Sequence, residues 1–208
     1  MDTSRLDPDA PVLPPRQRGL TLVELVVALA ILGVAMAALL PEAGNWMRGL
    51  SVRNAGESMR AGIERARMEA LRRNTLVSFW LVTDSNKALS SACDVSVNGS
   101  SWVVSSANPA GKCGATPSTT DDPRLVDGWS SAEGGSNVVV QGMDANGASA
   151  SSVTFNSLGQ VLSTGSQLAR IDIGHSSPGT RNLRVQIDAG GSVRMCDPNV
   201  DSNDPRKC

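Results

Sequence analysis

The chain has 208 residues, of which 40% are hydrophobic and 19% charged, and its formal net charge at pH 7 is −1. A nearly neutral chain produces no overall field that would draw it to nucleic acid or to an anionic membrane, so binding of that kind would require a local patch. The length allows one or two domains, and the residues after position 40 are enough to bury a single hydrophobic core.

The N-terminal segment is polar up to position 15 and becomes basic at Arg16 and Arg18. Its four prolines and three aspartates predict a disordered leader. The two arginines come just before an apolar run, and positive charge beside such a run favours the cytoplasmic side of a membrane. We therefore expect the N-terminus in the cytoplasm and the C-terminus across the membrane.

The apolar run extends from Leu20 to Leu40, and Glu24 is its only ionisable residue. A helix of this length spans roughly 30 Å, the thickness of a bilayer core. The run therefore predicts a transmembrane helix, although Ala35-Met36-Ala37 leaves open a cleaved secretory signal. Because an unpaired carboxylate in hydrocarbon is costly, Glu24 is expected to have a partner and a function.

An amphipathic helix is predicted after Pro41 and is expected to end near Arg73. Pro41 should kink or restart the helix, because its ring removes a backbone donor and clashes one turn back. Small or apolar residues then recur at steps of three and four and predict a buried face: Val52, Ala55, Met59, Ile63, Ala66 and Ala70. Pairs of opposite charge are expected on the remaining surface: Arg53 with Glu57, Arg60 with Glu64, and Glu69 with Arg73. The arginine-rich face is interpreted as solvated, with a docking or nucleic-acid surface as the alternative.

From Asn74 onward, short runs of period two predict β-strands separated by loops. The runs are 76–82, 102–104, 138–141, 153–156, 169–173, 183–187 and 192–196. The last two flank Asp188–Gly191 and predict a hairpin, since glycine supplies the positive φ of a tight turn. Segments 105–122 and 130–136 are predicted loops. Trp80 and Trp102 are expected to be buried over the helix.

The four cysteines, Cys93, Cys113, Cys196 and Cys208, all follow the apolar run. They allow three pairings, and sequence proximity favours Cys93 with Cys113 and Cys196 with Cys208. An even number of cysteines downstream of an export signal indicates an oxidising compartment such as a periplasm. A metal site is disfavoured, because the sequence has no CxxC motif and a single histidine.

The stretch Gly19-Leu20-Thr21-Leu22-Val23-Glu24 and the apolar helix after it resemble the class III signal of type IV pilins and pseudopilins. The resemblance implies that a prepilin peptidase cleaves between Gly19 and Leu20 and N-methylates Leu20. It makes Glu24 the fifth mature residue and places Pro41 where pilins commonly carry a helix-kinking proline. The sequence departs from the usual pattern in its long leader and in having Leu20 rather than phenylalanine.

The same resemblance implies a partner for Glu24. Cleavage leaves a cationic amine on Leu20, and the Glu24 carboxylate of one subunit can pair with the Leu20 amine of its neighbour in a filament. The unpaired carboxylate disfavours the isolated subunit, and the pair favours its addition. In the alternative, Glu24 reaches the nearby membrane interface without a partner.

Three further segments resemble the GspH/FimT group of minor pilins. Ala66–Asn74 matches the AR-x-EA-x-x-RN pattern at the end of the group's long helix, Val153–Gly159 matches its TF-x-x-x-G strand and turn, and Gly191–Cys196 its closing strand. The resemblance implies an α+β, pilin-like fold in which a long N-terminal helix packs on a C-terminal antiparallel β-sheet domain.

This fold implies four regions: a cytoplasmic leader (1–19), a transmembrane or assembly half of the helix (20–40), an amphipathic half (41–73) and a periplasmic head (74–208). The implied location is the bacterial inner membrane, in a single pass, and then a pilus or pseudopilus. The implied partners are prepilin peptidase, other minor and major pilins or pseudopilins, and the inner membrane. No cofactor is expected.

The favoured function is structural, as a subunit near the tip of a type II secretion pseudopilus or a type IV pilus. The alternative is DNA binding in natural transformation, for which some members of the group use Gly-Arg-x-Arg near the C-terminus. Here Ser192 replaces the first arginine, and Arg181, Arg184 and Arg194 remain as candidates for a phosphate-binding patch. Catalysis is disfavoured, because a catalytic triad would depend on His175, which lies in a predicted turn.

Overall fold

The computed structural model describes Gly19 and residues 21–84, 88–134 and 137–208, apart from the side chains at 38–43 and 45. The predicted leader therefore lies outside the described residues except for Gly19. Two compact units follow each other along the chain, the first ending at Glu42 and the second beginning at Ala43. Helix α1 extends from Leu22 to Arg73, which confirms the predicted long helix.

Antiparallel strands follow α1, so the α+β class is confirmed. In chain order they are β1 (Val77–Asp84), β2 (Cys93–Val95), β3 (Ser101–Ser105), β4 (Leu125–Trp129), β5 (Val138–Met143), β6 (Ser152–Phe155), β7 (Arg170–His175), β8 (Leu183–Ile187) and β9 (Val193–Cys196). A 3₁₀ turn at Ser131–Glu133 lies within the predicted loop 130–136.

The strands form two sheets. In the first, the order is β2-β1-β3-β4, and β6 also pairs with β1. In the second, the order is β5-β7-β8-β9. The predicted hairpin is confirmed: β8 and β9 pair from Arg184 with Cys196 to Ile187 with Val193. Gly191 has a φ of +81°, and its N–H donates to the Asp188 carbonyl at 2.7 Å.

The predicted apolar face of α1 forms the core of the second unit. Its six residues, from Val52 to Ala70, are at most 1% exposed. They share one cluster with side chains of both sheets, including Phe79, Phe155 and Ile171. Fully burying a large aliphatic or aromatic side chain contributes roughly 1.5–3 kcal/mol, so this shared cluster is the main source of stability.

Trp80 and Trp102 of the first sheet lie on opposite faces. Trp102 packs against α1 as predicted, where Gly62 leaves room: a Cβ at Gly62 would lie 2.8 Å from two Trp102 ring atoms. The Trp102 Nε1 donates to the Ser58 Oγ at 2.9 Å. The prediction for Trp80 is wrong, because successive side chains of a strand alternate between faces. Trp80 packs with Val82 in a second cluster instead.

Two strands were not expected from the sequence. β2 has three residues and is too short to show the alternation of apolar and polar residues that predicts a strand. β4 contains Asp127 and Gly128, residue types that are depleted in strands. A Cβ at Gly128 would lie 2.7 Å from the Leu89 Cδ1, so the glycine accommodates a close approach.

Candidate functional site

The N-terminus of α1 is closed by a reciprocal pair of hydrogen bonds between Thr21 and Glu24. The Glu24 N–H donates to the Thr21 Oγ1 at 3.2 Å, and the Thr21 N–H donates to the Glu24 Oε2 at 3.5 Å. This is a capping box, whose S/T-x-x-E signature is present in Thr-Leu-Val-Glu. The sequence reasoning missed it. The Glu24 carboxylate therefore accepts from one backbone donor at the start of its own helix, the Thr21 N–H, whatever its role in assembly.

The other predicted processing residues are only partly described. Gly19 is exposed, with no atom within 4 Å of the position of an added Cβ. Leu20 lies outside the described residues, and Pro41 lies within α1 with its side chain outside them. Cleavage and N-methylation at Leu20 and the kink at Pro41 therefore stay predictions.

The first half of α1 exposes apolar side chains in every direction. Ten large apolar residues between Leu22 and Met36 are 50–78% exposed: Leu22, Val23, Leu25, Val26, Val27, Leu29, Ile31, Leu32, Val34 and Met36. Soluble monomers rarely expose so large a continuous apolar surface, and such a surface marks contact with lipid or protein.

Within the described part of the chain, no helix has both the length and the apolarity needed to cross a membrane. The transmembrane segment that the sequence predicts over residues 20–40 therefore stays a prediction.

The arginines predicted as a phosphate-binding patch have partners within the second unit. Arg184 and Asp172 form a bidentate ion pair, with Nε–Oδ1 at 2.5 Å and Nη2–Oδ2 at 3.0 Å. The hydrogen bond that Arg184 donates to Asp172 raises the pKa of Arg184. Arg181 forms an ion pair with the buried Asp197.

Arg194 donates from its Nε to the Gln186 Oε1 at 2.8 Å. Arg184 and Arg194 lie on the neighbouring strands β8 and β9, as the sequence predicts. A phosphate would nevertheless compete with a carboxylate at both Arg184 and Arg181, which weakens its electrostatic attraction. The geometry therefore gives DNA binding no support.

His175 ends β7 and has a local structural role. Its Nδ1 accepts a hydrogen bond from the Ser177 N–H at 3.0 Å. Over the residues that the structure describes, no three histidine, cysteine, aspartate or glutamate side chains form a group that could hold a metal ion.

The three segments that resemble the GspH/FimT group meet at Arg67. The Arg67 Nε donates to the Gly159 carbonyl at 3.0 Å. A Cβ at Gly191 would lie 2.1 Å from that carbonyl oxygen and 3.1 Å from the Arg67 Nε. Both glycines have positive φ, +72° and +81°. The motifs thus form a joint that holds α1 against the turns after β6 and β8, a role that the sequence patterns did not indicate.

Glu69 forms a compact charged cluster at the C-terminal end of α1. It is only 7% exposed, so the expectation that it lies on the surface is wrong. Arg72 donates to it from Nε at 2.8 Å and from Nη2 at 2.5 Å, and Arg73 also donates to it. The hydrogen bonds from Arg72, opposed by burial, lower the pKa of Glu69 to about 2.

The predicted helical ion pairs have mixed outcomes. Glu69 pairs with Arg73 as expected, and Arg72, which no prediction included, pairs with it as well. Arg60 and Glu64 pair at 3.0 Å. The ion pairs of the described residues do not include Arg53 with Glu57, which is a departure from the sequence expectation.

The cysteines form the two disulfides that sequence proximity favours. Cys93 is joined to Cys113 and Cys196 to Cys208. The first disulfide is buried in the second apolar cluster and ties β2 to the loop between β3 and β4. The second connects the chain end to β9 and encloses Asp197, the partner of Arg181.

Two family models match the chain. The model of the type II transport protein GspH matches residues 55–191, more than half of the chain, and the prokaryotic N-terminal methylation motif matches residues 14–40. The chain therefore belongs to the GspH family. Its members are pilin-like structural subunits rather than enzymes.

The chain is similar to the pilin-like protein PilA1 of Thermus thermophilus, with 40% identity over 68 residues. That match covers 33% of the chain and 42% of PilA1, less than half of either protein. Two crystal forms of the type IV minor pilin FimU of Pseudomonas aeruginosa are similar at 13% identity and TM-scores of 0.43 and 0.44. Both alignments cover 69% of this chain, and they cover 90% and 87% of the respective FimU chains. At these scores the likeness adds nothing to the fold defined by the elements themselves.

Proposed function

We propose that this chain is a minor pilin or pseudopilin, a structural subunit that is added near the tip of a type II secretion pseudopilus or a type IV pilus. The observation that carries the proposal is the first half of α1. Its apolar side chains are exposed on all sides, and it lies within the match to the N-terminal methylation motif. Such a helix requires an apolar environment, first the inner membrane and then the helices of neighbouring subunits.

Processing precedes assembly. Prepilin peptidase cleaves between Gly19 and Leu20 and methylates the new amine of Leu20. The exposure of Gly19 and the open space around its Cβ position support access by the peptidase. The head, beginning near position 74, faces the periplasm, where oxidation of both cysteine pairs is favoured.

Glu24 supplies the counter-charge in assembly. In the isolated subunit its carboxylate has only weak local donors, since the contacts to Thr21 are 3.5 Å long. A cationic amine on the Leu20 of a neighbour is a stronger partner, because charge-assisted hydrogen bonds are about twice as strong as neutral ones. Transfer of Glu24 from its cap to this amine favours addition of the subunit.

Processing is tested by co-expressing the full chain with a prepilin peptidase and determining the new N-terminus by mass spectrometry. We expect a methylated N-terminus at Leu20. Gly19→Val places a branched side chain at the cleavage site and should block cleavage. Gly33→Ala is the matched control, because its Cβ would also meet no atom within 4 Å. A mature chain that starts elsewhere, or normal cleavage of Gly19→Val, contradicts the proposal.

Assembly is tested by two substitutions of Glu24 that separate charge from capping. Glutamine can replace glutamate in a capping box, so Glu24→Gln removes the charge and keeps the cap, whereas Glu24→Ala removes both. We expect both variants to be cleaved but absent from sheared filaments, as detected by immunoblotting. Incorporation of Glu24→Gln at the wild-type level would show that the charge has no role.

A further inference from the structure

A groove of about 1070 Å³ runs along the C-terminal end of α1 within the second unit. Its helical wall presents Arg65, Met68 and Arg72, which lie three and four residues apart and so share one face of the helix. Leu125 and Val126, at the start of β4, line it from the other side. We call this surface the helix-end groove. Met68 is 62% exposed, so the groove leaves an apolar side chain open to a partner.

The helix-end groove carries an excess of positive charge. The charged residues that line it are three arginines and one glutamate. Glu69 accepts from the Nε and Nη2 of Arg72, whose side chain is still 67% exposed. The Arg65 side chain is 58% exposed, and its ion pair with Asp127 is long, at 3.9 Å. The arginines outnumber the carboxylates even when Asp127 is counted, so the groove favours a partner that combines an apolar side chain with a carboxylate.

The chain itself carries a segment of this kind, Asp197–Asp204, which we call the acidic loop. It contains three aspartates and no basic residue, and the second disulfide encloses it. The first and last of these aspartates are paired with arginines. Asp201 is exposed, and the ion pairs of the described residues do not include it. It directly follows Val200, so an apolar side chain and an available carboxylate are neighbours on a loop that is already closed and has little freedom to lose on binding.

The groove and the acidic loop lie at opposite ends of the second unit. Arg181 pairs with Asp197 of the loop, and it lines a hollow with Trp46 and Arg53 near the start of the helix in this unit. Arg72 lies about 28 Å further along the same helix, at about 1.5 Å per residue. The two surfaces of one copy are therefore too far apart to meet, whereas those of two copies can. A contact between different surfaces of identical chains is heterologous and repeats from copy to copy in a ring or a filament.

We propose that the helix-end groove binds the acidic loop of a second copy of this chain. Asp201 pairs with Arg65 and Arg72, and Val200 packs against Met68. A contact made by one loop is weak in isolation, and the packing of helices in a filament strengthens it by raising the local concentration of the two surfaces. The inference deepens the proposed function, on which it rests for the adjacency of subunits.

The contact is located with a carbodiimide, which joins a carboxylate directly to an amine. The full chain is used at high concentration in excess non-ionic detergent, which separates the apolar helices into different micelles. Arg65→Lys supplies an amine in the groove. We expect a covalent dimer in which mass spectrometry identifies a link between position 65 of one copy and Asp201 of the other. Arg60→Lys, on the same helix but outside the groove, is the control and should give no such link. A dimer without the Asp201 link, or no dimer, overturns the proposal.

Charge reversal tests the same pairing by its effect on the association constant, measured by sedimentation equilibrium in density-matched detergent. Arg65→Glu and Asp201→Arg should each lower this constant about ten-fold, because a repulsion replaces an attraction. The double variant should recover most of the loss, and added salt should weaken the association of the wild type. Arg60→Glu makes the same change in net charge at an exposed pair outside the groove and should have an effect of less than about two-fold. Equal effects of Arg60→Glu and Arg65→Glu, or a double variant that associates no better than the single ones, contradict the proposal.

Incorporation into sheared filaments separates the two possible failures. A chain that is incorporated but gives no link to Asp201 refutes the contact alone. A chain that forms the link but stays out of filaments refutes the proposed function and leaves the contact standing.

Discussion

Acidification tests the charged cluster around Glu69. Its pKa of about 2 in the folded chain lies below the ordinary value of 4.5. A carboxyl group whose pKa is lower in the folded chain than in the unfolded chain stabilises the fold at pH values above the unfolded pKa. That stabilisation is lost as the pH falls from about 4.5 to about 2. The full shift corresponds to about 3 kcal/mol. Because the Arg72 side chain is 67% exposed, solvent screens this pair and we expect about 1–2 kcal/mol.

The assay is urea unfolding of the full chain in a non-ionic detergent, followed by tryptophan fluorescence. Wild type should lose about 1–2 kcal/mol of unfolding free energy through this group between about pH 6 and pH 3. Glu69→Gln should already have lost it at about pH 6 and should show a flatter pH dependence. Glu64→Gln, at an exposed helical pair, should cost only a few tenths of a kcal/mol. Parallel pH curves for wild type and Glu69→Gln would refute the reasoning.

Three further predictions concern the packing of the second unit. Arg67→Met keeps the aliphatic packing but removes the hydrogen bond to a backbone carbonyl, and should lower the unfolding free energy by about 1–3 kcal/mol in the same urea assay. Gly62→Ala should destabilise by about 1–2 kcal/mol despite its better helix propensity, because its Cβ meets an aromatic ring. The control Gly49→Ala meets no atom and should stabilise by up to about 1 kcal/mol, so equal effects of the two would contradict the packing argument. Replacing Cys93 and Cys113 by serine should cost about 3 kcal/mol, and an unchanged unfolding midpoint would exclude a stabilising role for this disulfide.

The helix and most strands were predictable because their signals are local. The buried face from Val52 to Ala70 follows from residues three and four apart. The β8–β9 hairpin follows from alternation around a glycine turn. The N-terminal signature was recognisable because Gly19, Leu20 and Glu24 lie within one short stretch. The capping-box pattern is present in the same stretch and could have been recognised there.

The features that required the tertiary structure depend on residues that are distant in sequence. Arg184 and Arg194 were correctly placed on neighbouring strands, but their sequence context does not indicate that Asp172 neutralises Arg184 across β7 and β8. Helical periodicity placed Glu69 beside Arg73 without indicating that the carboxylate would be buried.

The sequence alone determined the kind of protein, because an apolar helix that follows a processing motif can be recognised from the order of residues along the chain. Tertiary structure decided how the family motifs are used. Arg67 and Gly159 are 92 positions apart, and only packing of α1 on both sheets brings them into contact. Burial and pairing are properties of three-dimensional neighbours, so they determine which arginines are available to a partner and which hold the fold together.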